Sequence, residues 1–128
     1  MLRPRRHRGT RHDAVVELLS PDVVFRSPVA FKPYQGREAV APILRAASLV
    51  FEDLRYVREI GSKDAAHHAL VFHARIGDQQ IEGCDFLHID DHGSIDELVV
   101  MVRPLTAALA LAEAMKAQLA AAASSVRA

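Results

Sequence analysis

Four strand-length stretches follow one another between Leu54 and Arg103, each closed by residues that favour a tight turn. Leu54 to Ile60 ends at Gly61, Ser62, Lys63 and Asp64, and Ala66 to Ile76 turns at Gly77 and Asp78. Gln80 to Ile89 turns through Asp90, Asp91, His92 and Gly93, and Ile95 to Arg103 ends at Pro104. β-branched and aromatic runs bounded by Gly and Asp are hairpin signals, so a meander of long antiparallel strands is expected.

The segments around this meander read as helices. Asp13 to Leu19 places Ala14, Val15, Leu18 and Leu19 near helical spacing, with Asp13 as a cap. Ser20, Pro21 and Asp22 suggest a turn, Val23 to Phe25 a short strand ended by Pro28, and Val29 to Gln35 a loop. From Gly36 to Phe51, Val40, Ile43, Leu44, Ala47 and Val50 recur at steps of three and four, an amphipathic helix that either begins close to Pro42 or is kinked there. Leu105 to Leu119 predicts a final helix with Leu105, Leu109, Ala112, Met115 and Leu119 as its docking stripe, fraying from Ala120 to Ala128. Helices flanking a meander imply an α+β fold in which a curved antiparallel sheet wraps around helices and a pocket lies between them.

At 128 residues, half of them apolar and with no net charge, the chain has the composition of one globular domain. Three parts are expected: a basic arm over residues 1–12, an α+β domain over 13–104, and a C-terminal helix over 105–122 packed on the domain or on a partner. Arg3, Arg5, Arg6, Arg8 and Arg11 all precede the first acid, Asp13. Such an arm can touch phosphates, but no apolar residue between Arg3 and His12 could dock it, so a disordered start is expected and nucleic acid is not the expected partner. No apolar stretch of signal-peptide type follows the arginines, and no run is read as approaching the roughly 18 apolar residues of a membrane span. The lone Cys84 allows no intrachain disulfide, so a cytoplasmic location is expected and no membrane partner.

Alternation assigns the strand faces. In the second strand His68, Leu70, Phe72 and Ala74 share the more apolar face, and in the third Ile81, Gly83, Asp85, Leu87 and Ile89 do. Asp85 is the one acid in an aliphatic row. A carboxylate there must be paired, hydrated or protonated, and desolvation would raise its pKa and make it a proton donor. The plainer alternative is that it accepts bonds from local backbone or an arginine. His68 shares the inner face as a candidate proton carrier, with a core histidine bonded to a carbonyl as the alternative. His67, His73, His88 and His92 lack metal-ligand spacing, so no metal and no cofactor is expected. Cys84 should face away from Asp85 and pack. Phe25, Ser27, Tyr56, Leu70, Phe72, Leu98 and Val100 are the expected pocket lining.

The opposite sheet face carries Val71, Cys84, Phe86, Val99 and Met101, more apolar surface than a solvated face should show. Burial against a second copy would remove it, so a homodimer through this outer face is expected.

The order of elements, with SPDVVFRSP from Ser20, YQGREAV from Tyr34, FEDLRYV from Phe51 and EGCDFLHIDDHGSIDEL from Glu82, resembles the nuclear transport factor 2-like superfamily and, within it, the SnoaL-like group. The resemblance spans Asp13 to Pro104. It implies a cone-shaped fold with a deep cavity, usually dimeric, shared by ketosteroid isomerases, epoxide hydrolases, polyketide cyclases and dehydratases. Asp85 falls where ketosteroid isomerases carry the protonated acid of their oxyanion hole. Their general base would match Ser27, which cannot act as one, and the first helix carries no tyrosine to match theirs. The acid of limonene epoxide hydrolases would match Val100. The expected function is therefore binding of a small, mostly apolar molecule with a carbonyl or hydroxyl near Asp85, with isomerase, cyclase or dehydratase chemistry on Asp85 and His68 if the protein is an enzyme. The alternative is a non-catalytic binding or dimerisation module whose cavity is filled by side chains.

Overall fold

The computed structural model describes residues 15–127, with side chains to residue 123. The basic arm over residues 1–12 and the start of the helix expected from Asp13 lie outside this range. Helical residues 15–18 (α1) lead into β1 (Leu19–Arg26), followed by β2 (Tyr34–Gln35), α2 (Arg37–Val50), β3 (Glu52–Ile60), β4 (His67–Ile76), β5 (Gln79–Ile89), β6 (Ile95–Arg103) and α3 (Leu105–Arg127). One six-stranded sheet holds them in the order β2-β1-β6-β5-β4-β3. The expected meander is β3 to β6, antiparallel throughout. The sheet as a whole is mixed, because β1 pairs parallel to β6.

The expected turn at Ser20, Pro21 and Asp22 is instead part of β1. Leu19 pairs with Ile95 and Val24 with Glu97, so the intervening residues are absorbed as an irregularity that suits a proline, which cannot donate to a ladder. Leu19 thereby belongs to the strand, where it is fully buried. In α2 the helix begins at Arg37, so Pro42 lies inside it on the exposed side. Val40, Leu44 and Val50 form its buried stripe as their spacing predicts.

α3 departs from expectation in face, length and hydropathy. It buries Ala107, Leu111 and Met115, while Leu105 and Leu109 are exposed. A helix of alanine and leucine has little polar contrast around its circumference, so its periodicity cannot select the docking face. It runs to Arg127 rather than fraying from Ala120. Residues Leu105–Ala123 are also long and apolar enough to cross a membrane, with mean hydropathy 1.2, which corrects the expectation that no run approaches a span. That test is met as well by helices of soluble domains, and α3 here packs on α2, β4, β5 and β6.

The interior divides into two clusters. One joins α2 and α3 to the far ends of β4 and β5 through Ala46, Val50, Phe72, Ala74, Ile81, Ala107, Leu111 and Met115. The other joins α2 to β1 and β6 through Leu19, Val23, Phe25, Val40, Leu44, Ile95 and Leu98. Ile43 and Val100 touch both. The concave sheet and α2 enclose a cavity between the two clusters.

Candidate functional site

The cavity has a volume of about 570 Å³. Its walls are Phe25 from β1, Ile43, Leu44 and Ala47 from α2, Leu70 and Phe72 from β4, Leu87 from β5, Leu98 and Val100 from β6, and Leu111 and Met115 from α3. Val15 and Leu18 of α1 contribute, so a first-helix wall is present. Among the described residues the ionisable lining groups are Tyr56, Glu59, Lys63, His68 and Asp85, and Ser27 adds a hydroxyl.

Asp85 stands in the cross-strand row Leu70, Asp85, Val100 on the concave face. It is half-buried and meets solvent-accessible space through the cavity. Burial among apolar neighbours pushes its pKa up to about 7, against a smaller opposing effect from the Tyr56 hydroxyl, which donates to Oδ2 at 3.2 Å. Near neutral pH the carboxyl group is thus close to half protonated, the condition in which it can both donate and accept a proton.

Tyr56 reaches Asp85 through a chain of packing that starts at a glycine. Gly83 faces Phe72 across the β4–β5 ladder, and a Cβ at Gly83 would lie 2.3 Å from the Phe72 ring. The missing side chain lets that ring lie over β5. The Tyr56 ring then packs edge-on against Phe72, with centroids 6.3 Å apart and planes at 74°, and Phe51 meets the same ring at 5.5 Å and 77°. Edge-to-face contacts fix ring orientation, which aims the Tyr56 hydroxyl at Asp85.

His68 lines the cavity but is engaged elsewhere. Its Nε2 bonds the Ala65 carbonyl at 2.9 Å, and its Nδ1 side packs against Gly61. Gly61 has φ +116, and a Cβ there would meet the His67 carbonyl at 2.7 Å, so the β3–β4 turn requires glycine. The group bonded to Asp85 is Tyr56, not His68. Ser27 lies at the cavity rim with its Oγ accepting from the Val29 N–H at 3.1 Å. Cys84 is on the outer face, its thiol pKa raised by burial and by Asp85. Among the described residues no group of three or more His, Cys, Asp or Glu is arranged to hold a metal.

Glu59 is a lining residue that strand alternation misses. Tyr56 pairs with Phe72 but Arg58 with Val71, so Val57 is an extra residue in β3. Such a bulge shifts the alternation, and Tyr56 and Glu59, three apart, both line the cavity.

A family model described as the SnoaL-like domain matches residues 7–98. The chain belongs to this SnoaL-like family. Among solved structures, a steroid delta-isomerase from Pseudomonas aeruginosa is 41% identical, with TM-score 0.84 over 91% of this chain and 86% of that one. An uncharacterised protein with a cystatin-like fold from Silicibacter pomeroyi is 29% identical, with TM-score 0.84 over 94% of this chain and 84% of that one. The epoxide hydrolase/cyclase-like enzyme SalBIII, which acts in pyran ring formation in the polyether salinomycin, shares the fold at 17% identity and TM-score 0.59, over 75% of this chain and 80% of that one. No curated protein matches. The SnoaL-like fold thus has relatives named as isomerases and cyclases, and the fold alone does not select a function.

Proposed function

We propose that the protein binds a small, mostly apolar molecule bearing a carbonyl or hydroxyl oxygen, and that Asp85, held in place by the Tyr56 hydroxyl on one carboxyl oxygen, forms a clamp that donates to that oxygen from the other. The observation that carries this is the hydrogen-bonded pair of Tyr56 and Asp85, with a carboxyl pKa of about 7, in an otherwise aliphatic cavity. A neutral carboxyl can donate to an oxygen that gains negative charge, the phenol on its other oxygen fixing its orientation, and among apolar walls such a donor is worth more than in water. Acid-base isomerisation of a carbonyl compound fits this clamp. It also fits the name of the 41% identical Pseudomonas aeruginosa protein, a steroid delta-isomerase. A cavity of about 570 Å³ lies in the range of small-molecule sites and counts against the alternative of a module filled by side chains.

The test is fluorescence titration with 2-naphthol, an apolar ring system with one hydroxyl. Asp85→Leu is expected to weaken binding by at least about tenfold, the loss of one good charge-stabilising hydrogen bond. Equal affinity in the variant and the wild type overturns the clamp.

The outer sheet face supports pairing with a second copy. Val99, Phe86, Ala69 and Ile60 form one cross-strand row there, and Met101, Cys84 and Val71 another. Phe86, Met101 and Ile60 are exposed at 40%, 58% and 54%. Both signs of charge flank the patch: Arg103 on Glu82 at one end, and His88 on Asp96 at the other. An isologous contact can pair such flanks with one another.

A further inference from the structure

We propose that the opening of the cavity holds an anion subsite centred on Lys63, so that the bound molecule is a lipophilic carboxylate whose apolar body lies inward toward Asp85. The proposal rests on the Asp85 clamp argued above and assigns the other end of its ligand. Leu18, Val29, Glu59 and Lys63 line the cavity and are exposed, so they mark where it meets water. Leu18 and Val29 are apolar, which leaves Glu59 and Lys63 as the charges of this opening.

The β3–β4 turn holds Lys63 in place. The Ala65 N–H donates to the Ser62 carbonyl at 3.0 Å, which makes Lys63 the first of the two central residues of a tight turn. The His68 ring bonds the Ala65 carbonyl at 2.9 Å, and the Ile89 N–H donates to the Ala66 carbonyl at 2.8 Å, tying the same segment to β4 and to the end of β5. The Lys63 stem thus starts from a fixed backbone. Its ammonium makes no hydrogen bond or ion pair with another described residue, so it is not spent on Glu59. An ammonium offers three donors and no acceptor, which suits a carboxylate. His68 stands two residues before Leu70, the cross-strand partner of Asp85, about 7 Å along β4, and the turn lies beyond it. A molecule of two fused rings or longer therefore spans from Asp85 to the reach of the Lys63 side chain.

The charge of the chain leading into the cavity wall favours an anion over a cation held by Glu59. Arg3, Arg5, Arg6, Arg8 and Arg11 precede α1 against one acid, Asp13, and Arg11 comes four positions before the lining residue Val15. Four residues span at most roughly 14 Å, so positive charge is tethered close to the cavity and raises the local concentration of anions.

The experiment is fluorescence titration of the full chain with 2-naphthol and with 6-hydroxy-2-naphthoate, which carries a carboxylate at the far end of the same ring system. It is run at about pH 6, where Asp85 keeps most of its proton. Wild type is expected to bind the naphthoate about fivefold tighter than 2-naphthol, the upper end for a solvent-exposed charge pair, and added salt should shrink that preference. Lys63→Gln should abolish the preference and Glu59→Gln should enlarge it, while Asp85→Leu should weaken both probes alike. Equal affinity of wild type for the two probes overturns the subsite, as does a preference that survives in Lys63→Gln or is indifferent to salt. Binding of 2-naphthol that depends on Asp85 without any naphthoate preference removes the subsite and leaves the clamp standing. Binding of 2-naphthol that is indifferent to Asp85 removes the clamp, and the proposal with it.

Discussion

Asp85 holds its proton in the folded protein to about pH 7, whereas its ordinary value is 3.8. Between those values the folded state binds more protons than the unfolded chain, so stability falls as pH rises through the window and the loss is complete above about pH 7. The shift corresponds to a cost on the order of 4 kcal/mol, borne at neutral pH to keep an acid in an apolar cavity. Asp85→Asn cannot ionise. Urea unfolding at pH 5 and pH 8 is therefore expected to show the variant gaining stability relative to wild type at pH 8, and a difference independent of pH would contradict the burial argument. Asp85 was legible in the sequence because one acid in an aliphatic alternation stands out. Its bond to Tyr56 was not, since cross-strand reach depends on where a neighbouring strand bulges.

The elements that aim the site are β3 and β5. β3 carries register shifts between Glu52 and Arg55 and between Tyr56 and Arg58, with Asp53 at φ 55 in the first. Bulges bend an edge strand and re-aim its side chains, which here turns Tyr56 and Glu59 toward one cavity. Nothing in FEDLRYVREI announces a bulge, so simple alternation would place Glu59 opposite Tyr56. In β5 the informative residue is Gly83, whose bare backbone accepts the Phe72 ring. Gly83→Ala is expected to displace that ring, destabilise the protein by about 1–3 kcal/mol, and weaken 2-naphthol binding through Tyr56. Chemical denaturation beside the naphthol titration checks both, and a variant unchanged in both would show that Phe72 does not position Tyr56. The boundaries of β4, β5 and β6 followed from their hairpin turns to within a residue. The docking face of α3 did not follow, because Ala107 rather than a leucine sits at its most buried point.

At the scale of the whole molecule, two apolar clusters hold the sheet open around the cavity and leave the outer face bare. Phe86 is exposed at the middle of that face, between Ala69 of β4 and Val99 of β6. Light scattering on the wild type is expected to give a dimer and on Phe86→Glu a monomer, because a buried charge without a partner costs more than such a contact contributes. A wild-type monomer at micromolar concentration would contradict that pairing. The α+β class and the flanking helices were legible from the strand and turn pattern. The parallel pairing of β1 with β6 was not, since it joins segments far apart in the chain through a strand that contains a proline. The account turns on the protonation of one carboxyl group, which carbon-13 NMR can observe in protein labelled at the aspartate side-chain carbons. A resonance missing from Asp85→Asn and titrating with a midpoint near pH 7 is the predicted result, and an Asp85 resonance titrating near pH 4 would contradict it.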